Sequence, residues 1–160
     1  MTDIDTFFDL VEQDEIVRLR KLIQAGFDVN QKNKFGSSAL HIAVVKDLLD
    51  LAKLLIDSGI NLNMQDKEGK TSLHHVAEYN RIVLGKVLLD NGAGLSIQDK
   101  YGNQPLWTAV FNDKGRDDRI EIIKLFIKYG ADINHKNAVG KSPKDIVTIA
   151  GYTNLVNILL

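Results

Sequence analysis

Two series of glycines run in phase through this chain. Gly36, Gly69, Gly102 and Gly140 are separated by 33, 33 and 38 residues, and Gly26, Gly59, Gly92 and Gly130 by the same intervals. Two glycine sets locked together over the whole length mark a structural repeat, and a repeat of this period stacks unit on unit as a solenoid. The central copy runs from Lys67 to Asp99, with one copy before it at 34–66 and another after it at 100–137.

Within the central copy, Gly69 suits a turn that needs positive φ. The hydroxyl of Thr71 can take an orphan backbone N–H at a helix start. A short helix is predicted from Ser72 to about Tyr79, with Leu73, Val76 and Ala77 on its buried side. Asn80 tolerates the left-handed conformation and ends it. A second helix follows over about Ile82 to Asn91, turning Ile82, Val87, Leu88 and Leu89 inward, and Gly92 stands at its C-terminal cap. The extended stretch Leu95 to Gln98 leads into the next turn. The unit is helix, turn, helix and extended finger.

The run Thr71-Ser72-Leu73-His74, with Val87-Leu88-Leu89 and Asn91-Gly92-Ala93 downstream, resembles the ankyrin repeat. Ala39-Leu40-His41 with Leu54 to Gly59 is a second match, and Gln104-Pro105-Leu106-Trp107 with Tyr129 to Asn134 a third. The resemblance covers nearly the whole chain. It implies an all-α ankyrin-repeat solenoid of helix-turn-helix units with short β-hairpin fingers: about three full repeats and two capping repeats. Three departures stand out. Ala39 and Ser72 replace the motif proline, Trp107 replaces the motif histidine, and the third copy carries about five extra residues by the glycine interval.

One domain is expected over 1–160. Residues 1–33 form an N-terminal capping half-repeat, 34–66, 67–99 and 100–137 full repeats, and 138–160 a C-terminal cap. In the first unit Asp5 or Thr6 is placed to cap a helix holding Phe7, Phe8, Leu10 and Val11. A second helix after Asp14 holds Ile16, Leu19, Leu22 and Ile23, with Arg18, Arg20, Lys21 and Gln24 outward. In the last unit Lys144 takes the motif leucine position, and an apolar series ends on Leu159-Leu160, where the final helix is expected to fray. The loop Asn112 to Arg119 falls between the two helices of its unit and reads as a mobile, solvated excursion; the functional alternative is that it reaches over the edge of a binding face.

Hydrophobic residues make up 44% of the 160 residues, enough for a continuous core, and the formal net charge of −1 offers no basic excess for a nucleic-acid backbone. Cysteine is absent, which removes disulfides, thiolate ligands and cysteine nucleophiles. The acidic start has neither the basic residues nor the apolar run of a signal peptide, and no window spans a membrane. A cytoplasmic protein, monomeric when free, is expected.

The four histidines are the first candidates for chemistry. His41 and His74 occupy the same motif position in successive copies, and the resemblance assigns them structural hydrogen bonds between neighbouring turns. His75, beside His74, points about a hundred degrees away from it on a helix, a poor arrangement for a shared metal. His135 is expected on a finger, in solvent. Asp66 and Asp99, with Asn33 and Asn137 in the outer copies, recur with the period and are expected to order the turns. Gly36-Ser37-Ser38 and Gly140-Lys141-Ser142 lack the phosphate-loop spacing, and no nucleophile elbow, zinc spacing or dinucleotide fingerprint is present. No catalytic residue, cofactor or metal site is assigned, and an enzyme is not expected.

The resemblance implies a partner protein held by the concave face and the finger tips. Carried onto this sequence, the finger positions are Lys34, Phe35, Ser37, Lys67, Glu68, Lys70, Lys100, Tyr101 and Asn103. The inner-helix positions are Val45, Lys46, Glu78, Tyr79, Phe111 and Asn112. Phe35, Tyr79, Tyr101 and Phe111 are aromatics placed where water is expected, and aromatics gathered on one surface are interface anchors. Trp107 is assigned to the core. Lys34, Lys67 and Lys100 stack at one repeat position as a basic ridge that would suit an acidic partner. A binder without an effector domain acts by occlusion or scaffolding. The resemblance therefore points to an inhibitor, such as an immunity-type protein neutralising a toxin or enzyme, with a scaffold, adapter or host-directed bacterial effector as the alternative.

Overall fold

The amphipathic stripes fold as ten short helices among the described residues, 3–159 of a computed structural model. They come in pairs: α1 (Asp3–Glu12) and α2 (Ile16–Gln24), α3 (Ala39–Lys46) and α4 (Leu49–Asp57), α5 (Ser72–Tyr79) and α6 (Ile82–Asp90), α7 (Pro105–Asp113) and α8 (Ile120–Lys128), α9 (Pro143–Ala150) and α10 (Thr153–Leu159). The first helices of the pairs pack in series, α1 on α3, α3 on α5, α5 on α7 and α7 on α9. The second helices form a parallel row, α2 on α4, α4 on α6 and α6 on α8. The result is an all-α solenoid of helix-turn-helix units in which each unit leans on its neighbours.

The core is one continuous apolar cluster along the stack. Phe7, Leu19, Leu40, Leu51, Leu55, Leu73, Leu84, Leu88, Leu106, Ile122, Ile123 and Phe126 are its largest fully buried members. Helix α5 spans Ser72–Tyr79 with Leu73, Val76 and Ala77 buried and Asn80 left-handed at φ 56, as the sequence predicts. The second helix of that unit is rotated from expectation: Ile82 is 38% exposed, and Leu84 and Gly85 are buried instead. The N-terminal helix starts earlier than expected. It is already helical at Asp3, so Asp5 and Thr6 lie inside it.

The fingers are turns, and the only bridge pairing outside helices among the described residues is Lys32 with Ser38. Each finger is closed twice by backbone hydrogen bonds. The Asp66 N–H donates to the Lys70 carbonyl at 2.9 Å and the Gly69 N–H to the Asp66 carbonyl at 3.1 Å; Asn33, Asp99 and Asn137 close their turns in the same way. These loops are too tight to add strand ladders beyond that bridge. Gly69 sits at φ +74, and a Cβ there would lie 2.9 Å from the Lys100 backbone nitrogen, so the repeat glycine serves both the turn and the seating of the next finger.

The charged stretch after α7 is solvated from Lys114 to Asp118, as expected, but it is tied at several points. Asn112 and Asp113 belong to α7, and Asp113 is fully buried. Its carboxylate accepts from the Arg119 N–H at 2.9 Å and the Asp117 N–H at 3.2 Å. Asn80 of the preceding unit donates to the Asp118 carbonyl at 2.9 Å, and Asn154 of the last unit donates to the Asp117 carboxylate. In the terminal unit Ile149 is 68% exposed, although it belongs to the apolar series, and Leu160 lies outside the described residues.

Candidate partner-binding face

Each finger is fixed by an Asx side chain at its base. Asp66 Oδ1 accepts from the Glu68 and Lys70 N–H groups at 2.8 and 2.9 Å. Asp99 Oδ1 does the same for Tyr101 and Asn103 at 2.8 and 2.9 Å. Asn33 holds Phe35 and Ser37, and Asn137 holds Val139 and Lys141. The tip residues Phe35, Glu68, Tyr101 and Val139 are thereby presented at equivalent points of successive turns. Short polar side chains that satisfy their own turn are the physical reason the repeat keeps Asp or Asn there.

The fingers are joined to the helices by the two motif histidines. His41 is 2% and His74 0% exposed. His41 Nδ1 accepts from the Ser38 N–H at 3.0 Å at the start of α3, and its Nε2–H donates to the Lys70 carbonyl at 3.1 Å. His74 Nδ1 accepts from the Thr71 N–H at 3.1 Å and Nε2–H donates to the Asn103 carbonyl at 3.0 Å. This pairing fixes the Nε2–H tautomer of both rings. Burial, with the charge of His75 adding to it, lowers the pKa of His41 from 6.5 to about 4, and burial also lowers that of His74.

His75 Nε2 lies 2.9 Å from Asp66 Oδ2, its Nδ1 lies 3.8 Å from Glu78 Oε2, and its ring stacks on Tyr79 at 6.2 Å. Burial alone would raise the pKa of Asp66, but bonds from His75 and from the Lys70 and Glu68 amides outweigh it and hold the carboxyl below its ordinary value. His41, Asp66 and His75 bring one possible ligand atom each within 4.8 Å of one another. Both nitrogens of His41 are already committed to the helix cap and the finger bridge, so a metal here would have to break one of them. The cluster is built as a hydrogen-bonded tie between a finger and two inner helices.

Along the row of inner helices and fingers, one groove of about 350 Å³ lies against α1 and the first finger, and two more open further along the stack. The larger, about 470 Å³, lies between α5, α7 and the last two fingers and is lined by Lys70, Glu78, Tyr101, Asn103, Trp107, Phe111, Asn112 and Val139, with Asp99 at its base. The smaller, about 240 Å³, is lined by Glu12, Phe35, Ser37, Val45, Lys46 and His75. His75 and Glu78, on the same helix, link the two. Of the aromatics assigned from the sequence, Phe35 is 65%, Tyr79 43%, Tyr101 57% and Phe111 49% exposed.

Several assigned positions are engaged within the chain. Asn103 is buried. It is held by Asp99 and accepts from Asn137 Nδ2 at 2.8 Å, so it braces two fingers and is not an open tip. Ser37, Val45, Lys70, Glu78 and Asn112 are half-buried, and Lys46 pairs with Glu12 at 2.5 Å. Lys70 donates to Glu78 at 2.7 Å; burial alone would lower its pKa, but that bond and the carboxylate charge raise it. One lysine of the expected basic ridge is neutralised, and the other two keep their charge while engaged within the chain. Lys100 pairs with Glu68, Lys67 donates to the Lys34 carbonyl at 3.0 Å, and Lys34 lies over the Phe35 ring at 5.2 Å. His135, expected in solvent, is half-buried and bonds the Gly102 carbonyl at 3.0 Å.

Trp107 is the residue the sequence reading misplaced. It is half-buried on the groove wall, its ring stacked on Phe111 at 4.8 Å and 16°. The signal was present in the repeat. An aromatic that breaks a structural motif position, one helical turn from a second aromatic, shares a face with it.

No described helix is long and apolar enough to cross a membrane. Among curated proteins, none matches the sequence. A family model described as ankyrin repeats (3 copies) matches residues 10–99 and, overlapping them, 46–137. That match spans most of the chain and agrees with the paired helices and tight fingers described above. This chain belongs to the ankyrin-repeat family, whose repeats form a helical module for protein–protein interaction.

Proposed function

We propose that this protein is a non-enzymatic binder that occludes one partner protein, an inhibitor of the immunity type that neutralises a toxin or enzyme. The reading takes the chain as one domain with capping units at 1–33 and 138–160 and full repeats between them, cytoplasmic and monomeric when free. The observation that carries it is the exposure of Phe35, Tyr79, Tyr101 and Phe111 along the grooved face. Exposed aromatics on a scaffold that does not need them for its core are binding anchors. An interface of roughly 800 Å² on this side is within reach of such a face. Lys34, Lys67, Glu68 and Lys100 form the rim; Ser37, Val45, Lys46, Lys70, Glu78, Asn103 and Asn112 form or brace the floor.

Affinity capture from the native host tests this, with wild type beside a Phe35→Ala/Tyr79→Ala/Tyr101→Ala variant whose fold is verified by circular dichroism. One stoichiometric partner, lost in the variant and inactive when bound, is the expected result. Two partners held at once favour the alternative, a scaffold, adapter or host-directed effector. One partner retained in full by the variant overturns the assignment of the face.

A further inference from the structure

Building on that reading, we propose that the larger groove takes an arginine side chain of the partner, stacked on the Trp107–Phe111 wall with its N–H groups directed to Glu78. Tyr101 and Val139 close the finger side, so the walls are aromatic and apolar while the charge is concentrated on one flank. The charged residues lining the groove are Lys70, Glu78 and Asp99, a formal balance of one cation against two carboxylates. Lys70 spends its charge on Glu78 Oε2, and Glu78 Oε1 accepts no hydrogen bond among the described residues. An aromatic wall beside a half-used carboxylate favours a cation that is flat and carries several donors. Arginine fits both demands; the compact ammonium of lysine meets only the charge.

One further observation supports a cation, and a second marks the Trp107 wall as a contact site. The exposed aromatics at two finger tips already carry a cation, Lys34 over Phe35 at 5.2 Å and Lys100 over Tyr101 at 5.0 Å, whereas no cation lies over the Trp107–Phe111 pair among the described residues. In addition, this is the full copy in which the bridging histidine has been given up. His41 and His74 bond the next finger, Trp107 at the same place does not, and its indole N–H is shut from solvent with no hydrogen-bond partner in the described residues. A repeat that breaks its own structural rule at a groove wall marks a site selected for contact.

Trp107 is the sole tryptophan and reports on the groove directly. Capped tripeptides with arginine, lysine, leucine or glutamate between glycines are titrated into the intact protein while its fluorescence is read. The arginine peptide is expected to saturate with a dissociation constant on the order of a few millimolar. Lysine is expected to bind several-fold more weakly, and leucine and glutamate at least ~10-fold more weakly. Glu78→Gln and Phe111→Ala, with unchanged circular dichroism, should each weaken the arginine peptide several-fold, and Val83→Ala on the outer helix α6 should leave it unchanged. Leucine equal to or better than arginine would make the groove an apolar pocket and overturn the proposal; glutamate preferred, lysine equal to arginine, or no saturation by any peptide would overturn it as well. None of these failures touches the protein-binding reading, which the capture experiment decides separately.

Discussion

The Nε2–H of His74 donates to the carbonyl oxygen of Asn103 at 3.0 Å, so the start of an inner helix in one repeat holds the finger of the next. His41 makes the same bond to Lys70, and the two histidines thereby couple neighbouring units in addition to the apolar stack. Removing such a group leaves a buried carbonyl and an uncapped helix start. His74→Ala is expected to cost about 2–4 kcal/mol in urea unfolding followed by circular dichroism. His135→Ala, whose partly exposed bond to Gly102 water can replace, should cost under about 1 kcal/mol.

Acid should weaken the fold through the same histidines. Burial holds His41 at a pKa of about 4 against 6.5 when unfolded, and His74 is lowered in the same sense. Above 6.5 both are neutral in either state, so this stability is fully present there. As the pH falls from 6.5 toward 4 the unfolded chain takes up protons that the folded chain refuses, and stability is lost through that window. His41 alone accounts for a loss on the order of 3 kcal/mol. The lowered pKa of Asp66 adds a further loss below the ordinary carboxylate range, again toward acid. Urea midpoints at pH 7, 5.5 and 4.5 should decline steadily, and the His41 ring should not titrate above pH 5 by NMR. A flat profile contradicts the assignment.

Gly85 lies in the middle of α6, where alanine would ordinarily improve a helix. Here a Cβ would meet Val76 Cγ1 at 2.8 Å and Ile122 Cδ1 at 3.2 Å, so the glycine is a packing contact between helices. Gly85→Ala should therefore destabilise, by about 1–3 kcal/mol, instead of stabilising by about 1 kcal/mol, as thermal unfolding will show.

Asp113 is expected to govern the segment after α7. Its carboxylate is the acceptor for the Arg119 and Asp117 N–H groups, and it is fully buried. Asp113→Ala strands both donors and should cost about 2–3 kcal/mol, with faster amide exchange at Asp117 and Arg119.

The parts of the fold that were legible in the sequence are those the repeat states more than once. Thr71, Asn80, His41, His74 and the Asx residues recur at fixed offsets, so each copy vouches for the others. What was not legible depends on single copies. Ile82 is exposed because the second helix is rotated so that Leu84 and Gly85 face the core, and three adjacent apolar residues leave the phase open in sequence. Asp113 reads as loop charge until the two amides that reach it are in place. Trp107 is assigned to the core from sequence, yet the groove beside it exists only once the last two fingers and two inner helices are assembled. The basic ridge was legible only in part, for the opposite reason. The lysines do recur, but Lys100 is neutralised by Glu68, while Lys67 and Lys34 keep their charge against the Lys34 carbonyl and an aromatic face, partners contributed by neighbouring copies or by the finger tip itself.

The most direct test of the account uses the partner once captured. Isothermal titration is run against wild type and a Tyr101→Ala/Phe111→Ala variant, with a urea denaturation of each. Both side chains are about half exposed, at 57% and 49%, so the loss in stability should stay near that of the Phe111 stack on Trp107, about 0.5–1.5 kcal/mol. Two lost anchors at about 2 kcal/mol each predict an affinity loss of about 100-fold or more. Equal affinity, with no greater loss of stability than this, would contradict the claim that this face is where the protein binds.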